Sequence, residues 1–143
     1  MSTTMQKSIY LDTNVLLDSI MIRSGADAAK QILEFGVKKS VRICLSSLSV
    51  ANISYVARKN VTKEKLLEVF ELYLKHFVIL PDNDMGVLHA VRSGHPDFED
   101  AMQIACAEYE LCDAIITRNK KHFEPYTDIP VYTPEELIAK ISS

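Results

Sequence analysis

The sequence predicts an α/β protein built on a mainly parallel sheet with helices on both faces. Three observations predict it. Short apolar runs of strand length alternate with longer stretches of helical spacing along the whole chain. Strand followed by helix throughout requires parallel strands buried on both sides. Four glycines and five prolines punctuate the chain, with no repeat, low-complexity tract or linker, so the 143 residues are expected to form one domain, 1–143.

Each element follows from its own chemistry. "SIYLD" (8–12) reads as a buried strand ending in an acid. Residues 13–22 and 25–37 have helical spacing and break near Ser24-Gly25. "VRICL" (41–45) is a second strand, and "SSLSVANISYVARK" (46–59) opens with serine caps and continues as a helix. Thr62 caps a helix over 62–76, with Leu66, Leu67, Phe70 and Leu74 expected on one side. "FVILP" (77–81) is a strand closed by proline, and 84–93 and 97–111 are helices. "AIIT" (114–117) and "VYT" (131–133) are strands, and "PEELIAKI" (134–141) is a final helix with Pro134 in its first turn.

Composition narrows the function. A hydrophobic content of 48% is enough for an ordinary core, and a net charge of -3, from 16 basic and 19 acidic side chains, argues against a positively coated duplex binder. Cys44, Cys106 and Cys112 lie among apolar residues without CxxC spacing, so they are expected as buried free thiols and not as zinc ligands. "MSTTMQKS" lacks the apolar stretch of a signal peptide, and no run has the length of a membrane span. A cytoplasmic protein with no membrane association is the expectation.

In parallel sheets of this kind ligands bind beyond the carboxyl ends of the strands. Asp12, Ser46 and Asn119 lie at such ends. The stretch "HPDFEDAMQIA" (95–105) adds Asp97, Glu99 and Asp100 at the start of an apolar helix. Asp97 is placed to cap that helix. Asp100 lines up with Ile104, Ala107 and Leu111, so it points inward. Glu99 lines up with Gln103, Cys106 and Glu110 and reads as a solvated charge. A buried carboxylate costs several kcal/mol unless a cation meets it. Asn52 shares a side of its helix with Leu48, Tyr55, Val56 and Lys59, expected to face inward. Asp12, Asn52, Asp100 and Asn119 thus converge from four segments as an oxygen-only set suited to Mg²⁺ or Mn²⁺. For each, a cap, a turn or an amide bonded to backbone is the alternative.

"IYLDTNVLLD", "SSLSVANISYVARK" and "DFEDAMQIACAEYELCDAIITRNKKHF" resemble the PIN-domain nucleases in order and spacing over nearly the whole chain. The resemblance implies a three-layer α/β/α sandwich and a metal-dependent ribonuclease, often a toxin restrained by a small antitoxin protein. It places the family's first acid on Asp12 and its third on Asp100. The second falls on Asn52 and the fourth on Asn119, both neutral amides here. Asp97 is an additional carboxylate and, with Asp12 and Asp100, an expected metal ligand.

The expected chemistry is attack of a metal-activated water on phosphorus. Thr13, Ser46 and Thr117 are candidates to orient water or a phosphate oxygen, or are simply caps. Arg118, Lys120, Lys121 and His122, with Arg58 and Lys59, are candidates to track the backbone of RNA. The competing reading is a PIN-fold RNA-binding or protein-interaction module with a weakened metal site, favoured by Asn52 and Asn119. An aspartyl phosphatase lacks its second acid in Asp12-Thr13-Asn14, and no GxGxxG supports a dinucleotide site. Leucines and valines spread over 13–37 and 62–76 point to a homodimer.

Overall fold

The computed structural model describes residues 7–142, so the first six residues of the opening stretch lie outside it. Five strands, β1 (Ser8–Leu11), β2 (Arg42–Ser46), β3 (Val78–Leu80), β4 (Ala114–Ile116) and β5 (Val131–Tyr132), form one sheet in the order β3-β2-β1-β4-β5. Every pairing is parallel. The helices are α1 (Thr13–Met21), α2 (Ala26–Val37), α3 (Ser47–Ala57), α4 (Lys63–His76), α5 (Asp84–Arg92), α6 (Phe98–Tyr109) and α7 (Pro134–Ser142). Two 3-10 turns, Lys120–His122 and Glu124–Tyr126, connect β4 to β5. The three-layer α/β/α arrangement and every expected element are present.

Strand alternation divides the core in two. Ile9, Leu11, Ile43, Leu45 and Ile116 face a layer containing Leu16, Ile32, Ile53, Leu66 and Leu137. Tyr10, Cys44 and Ile115 face the other way, against Ile104, Ala107 and Phe123. Thus α6 is buried under the sheet, and α5 packs outside it on α6. The three cysteines are buried and free. Among the described residues no helix is long and apolar enough to cross a membrane.

Local chemistry sets the element ends. Asp12, Ser46, Thr62, Asn83 and Asp97 each cap the next helix by accepting from its backbone. The break between α1 and α2 uses Gly25 at φ 95, a left-handed conformation that glycine takes without strain.

Two expected helix faces are rotated. On α4 the inward stripe is Leu66, Phe70 and Tyr73, while Leu67 and Leu74 are 52% and 70% exposed. Leu67 and Leu74 repeat at seven residues, but one helical step away from that stripe. On α3 the inward residues are Ser49, Ile53 and Ala57. Tyr55 and Val56 are exposed, so Asn52 sits half-buried at the rim and not in the core.

The connections place the site. The chain moves outward from β1 through β2 to β3, then crosses back to β4 and β5 on the other side of β1. The direction reverses between β1 and β4, and the crevice beyond their carboxyl ends is the natural binding position in such a sheet.

Candidate active site

Asp12 follows β1 and Thr117 follows β4, so they flank that crevice. Asp12 is 2% exposed. Its Oδ2 accepts from the Thr117 hydroxyl at 2.9 Å, and its Oδ1 accepts from Gln103 Nε2 at 3.1 Å and from the Asn14 backbone at 3.5 Å. Thr117 is itself fixed, accepting from the Asn119 backbone at 3.0 Å. Burial raises the pKa of Asp12 above the usual carboxylate value, while the bonds from Gln103 and Thr117 oppose the shift.

Gln103 is the residue that sequence reasoning missed. Its position in line with Glu99 suggested a wetter side, yet it is 1% exposed because α6 is enclosed on nearly all sides. Its Oε1 accepts from the Tyr10 hydroxyl at 3.1 Å and from the Thr13 backbone and hydroxyl at 3.1 and 3.2 Å. The same amide therefore ties β1, α1 and α6 to Asp12. A lone amide within the apolar run Ala-Met-Gln-Ile-Ala-Cys-Ala was the available signal.

Asp100 is buried, as its helical position predicts. Asp97 accepts from the Asp100 backbone at 3.0 Å, which is the expected cap. The carboxylate of Asp100 does not return to the Asp97 N–H, which bonds His95 Nδ1 at 2.9 Å. Instead Asp100 Oδ2 meets His122 Nδ1 at 3.2 Å. Burial first, then the charges of Asp12 and Asp97, push the Asp100 carboxyl up to about 6, against the opposing effect of His122. Leu111, expected on the same inward line, is 83% exposed because it lies past the end of α6 at φ 53.

Glu99 is not a free solvated charge. It is half-buried and accepts from Asn52 Nδ2 across the gap between α6 and α3. Burial raises its pKa, with Asp12 and Asp97 adding to the rise and the Asn52 bond opposing it. Carboxylate oxygens of Asp97, Glu99 and Asp100 lie within 4.8 Å of one another. A cleft of about 430 Å³ opens beside them, lined by Thr13, Asn14, Asn52, Phe98, Glu99 and Met102 among others. A larger hollow of about 730 Å³ near Ile22 and Glu135 contains none of the expected site residues.

The remaining candidates separate. Asn119 is exposed at the rim, with Nδ2 3.5 Å from His122 Nδ1. His122, grouped by sequence with the basic rim, belongs instead with Asp100. Thr13 and Ser46 are buried and bonded to Ser49, Thr13 at 2.7 Å and Ser46 at 3.3 Å, so they brace the interior. Arg118 bonds Asp18 at 2.6 and 3.0 Å. Lys120 pairs with Glu124 and Glu136 at 3.6 and 3.3 Å. The Arg58 guanidinium lies 3.8 Å over the Tyr55 ring, and Lys59 and Lys121 are exposed.

Among the described residues no lysine or arginine forms an ion pair with Asp12, Asp97, Glu99 or Asp100. Crowded, partly desolvated carboxylates that raise one another's proton affinity, with oxygen donors only, fit a hard divalent cation. The fold is a parallel α/β sandwich with an acidic crevice at the switch point of its sheet. Residues 8–121 match the family model of the PIN domain, and the chain belongs to the PIN-domain family.

Solved structures agree on the fold. VapBC2 from Rickettsia felis, bound to a DNA fragment from their promoter, is 19% identical over 88% of this chain and 98% of that one, with a TM-score of 0.69. A toxin–antitoxin complex from Klebsiella pneumoniae is 26% identical over 88% and 97%, with a TM-score of 0.64. VapC20 of Mycobacterium tuberculosis, a sarcin–ricin-loop-cleaving toxin, is 13% identical over 75% and 86%, with a TM-score of 0.62. A search of curated proteins finds no significant match.

Proposed function

We propose that the chain is a divalent-metal-dependent endoribonuclease of the toxin type, working as a single cytoplasmic domain over 1–143. The observation that carries this reading is the pair of buried carboxylates, Asp12 and Asp100, at the switch point of the sheet without a lysine or arginine counter-ion among the described residues. Mg²⁺ or Mn²⁺, held by Asp12, Asp100 and Asp97, would supply an activated water and neutralise charge on the phosphodiester.

The protein's own groups do the rest. Gln103 and Thr117 hold Asp12 in one orientation through two neutral donors, so its charge is kept for a ligand. His122 holds the outer face of Asp100, and Asn119 stands beside it to donate to a water or a phosphate oxygen. Asn52 borders the cleft and can do the same from the opposite wall. Lys59, Lys121 and Arg58 are the basic groups at the surface that can follow a phosphate backbone, whereas Arg118 and Lys120 are already engaged by acids.

Incubating the purified chain with single-stranded RNA and Mg²⁺ or Mn²⁺ tests the reading. Cleavage is expected, with loss on chelation and a fall on the order of 10³-fold in Asp12→Asn and Asp100→Asn. Cleavage indifferent to chelator and to both substitutions rejects it. The neutral amides at Asn52 and Asn119 favour one other reading, an RNA-binding or protein-interaction module, which predicts RNA retention without cleavage. The toxin–antitoxin relatives support a small antitoxin as partner. Exposed Leu67, Leu72 and Leu74 on α4 support a homodimer, which sedimentation over a concentration series would reveal.

A further inference from the structure

The resemblance places a carboxylate at position 52, where this chain has an amide. We propose that Glu99 on α6 supplies the missing negative oxygen to the metal site and that Asn52 is the positioning residue that holds it there. The inference rests on the nuclease reading above, since it concerns the same cation.

The geometry is reciprocal. Asn52 and Glu99 come from helices 47 residues apart in sequence, yet the Asn52 amide donates to Glu99 Oε2. The other carboxylate oxygen of Glu99 has no hydrogen-bond donor among the described residues. Glu99 lines the cleft together with Asn52, Thr13 and Asn14. One carboxylate oxygen from each of Glu99, Asp97 and Asp100 lies within 4.8 Å of the others.

Charge explains why an amide suits position 52. A lysine there would fix Glu99 equally well but cancel its charge. A neutral donor fixes the carboxylate and leaves the charge intact. Asp97, Glu99 and Asp100 then bring their carboxylates together, with the charge of Asp12 felt by Glu99 and Asp100, and a cation joining them would relieve the repulsion.

Calorimetric titration of the full chain with Mn²⁺, paired with thermal melts in chelator and in Mn²⁺, tests this without reference to RNA cleavage. Glu99→Gln is expected to weaken Mn²⁺ binding by about tenfold to a hundredfold. It should leave the melting temperature in chelator unchanged or raised, because a like charge is removed, while shrinking the rise that Mn²⁺ gives. Asn52→Ala, which keeps the carboxylate but frees it, should weaken binding by less. The double change Asn52→Glu, Glu99→Gln should recover most of the affinity.

A purely structural Glu99 would instead lower the melting temperature in chelator and leave Mn²⁺ affinity untouched, which overturns the proposal. If Asp12→Asn and Asp100→Asn abolish Mn²⁺ binding while Glu99→Gln binds as the parent does, the Glu99 assignment falls and the nuclease reading stands. If the parent chain itself binds no Mn²⁺ at millimolar concentration, both fall.

Discussion

Asp12 and Asp18 belong to the same helix, one capping it and one within it, and both are almost fully buried, at 2% and 1% exposure. Their surroundings differ. Asp18 is met by two arginines, Arg23 at 3.1 Å and Arg118 at 2.6 Å. Asp12 is met only by neutral donors, an amide, a hydroxyl and a backbone N–H. The first is a closed ion pair that fastens α1 to the loop after β4. The second is a buried acid that no lysine or arginine pairs with among the described residues. Burial of an acid therefore does not by itself nominate a ligand site; burial without a cationic partner is what nominates Asp12 as a candidate.

The contrast is tested hardest at Asp18. Asp18→Asn leaves two guanidinium groups without their counter-charge and replaces one acceptor oxygen by a donor, and is expected to cost about 3 kcal/mol, at the low end for a buried pair because both arginines reach solvent. Urea denaturation measures this, and the folded fraction should keep its Mn²⁺ affinity. Equal loss of metal binding would mean that Asp18 is part of the site.

Gln103→Leu probes the open acid. It removes the acceptor for Tyr10 and Thr13 and the neutral donor to Asp12, and is expected to cost about 2 kcal/mol. Unlike Asp18→Asn, it should also depress RNA cleavage in the folded protein. A stability loss with full activity would show that Asp12 does not need this support.

The open charges predict a pH dependence of stability. The Asp100 carboxyl is raised from 3.8 to about 6 in the fold, and Asp12 and Glu99 are raised as well. The folded state therefore holds the Asp100 proton more tightly than the unfolded chain does. Below 3.8 both states are protonated and there is no penalty. As pH rises toward about 6 the penalty develops in full, so the metal-free protein should lose stability across that window. Mg²⁺ should offset the loss above about pH 6, which melts with and without the ion would show. A metal-free protein that gains stability through the same window contradicts the raised carboxyls.

The smallest effect is expected at the rim. Lys59→Ala with Lys121→Ala should flatten the dependence of log RNA affinity on log salt by about 0.7 for each phosphate left without its lysine. Lys120→Ala should change it less, since Glu124 and Glu136 already hold that ammonium group.

The elements were legible because each has strong local signals. Strand runs end at Asp12 and Thr117, serine and threonine caps open α3 and α4, and Gly25 breaks α1 from α2. Asp12 and Asp100 were legible for a related reason, being acids in apolar company. The partners of those acids were not. Whether Gln103 faces water depends on how many sides of α6 are covered, and that is set by the sheet, α5 and the 3-10 turns together. Likewise Glu99 is turned from a surface charge into a cleft residue by Asn52 on a different helix. Spacing along one helix assigns a stripe, but only tertiary packing decides which stripe is wet. The two arginines on Asp18 were hidden in the same way, since Arg118 lies 100 residues downstream.

The bonds that hold Asp12 bear on how the protein is made. Gln103 and Thr117 follow it in the chain by 91 and 105 residues. At a synthesis rate of about 5–20 residues per second, the first carboxylate waits roughly 5–20 s for the hydroxyl that orients it. Throughout that interval the nascent polypeptide on the ribosome carries an acid but no assembled centre. The proposed centre would therefore assemble only after residue 117 has left the ribosome, late in the synthesis of the domain.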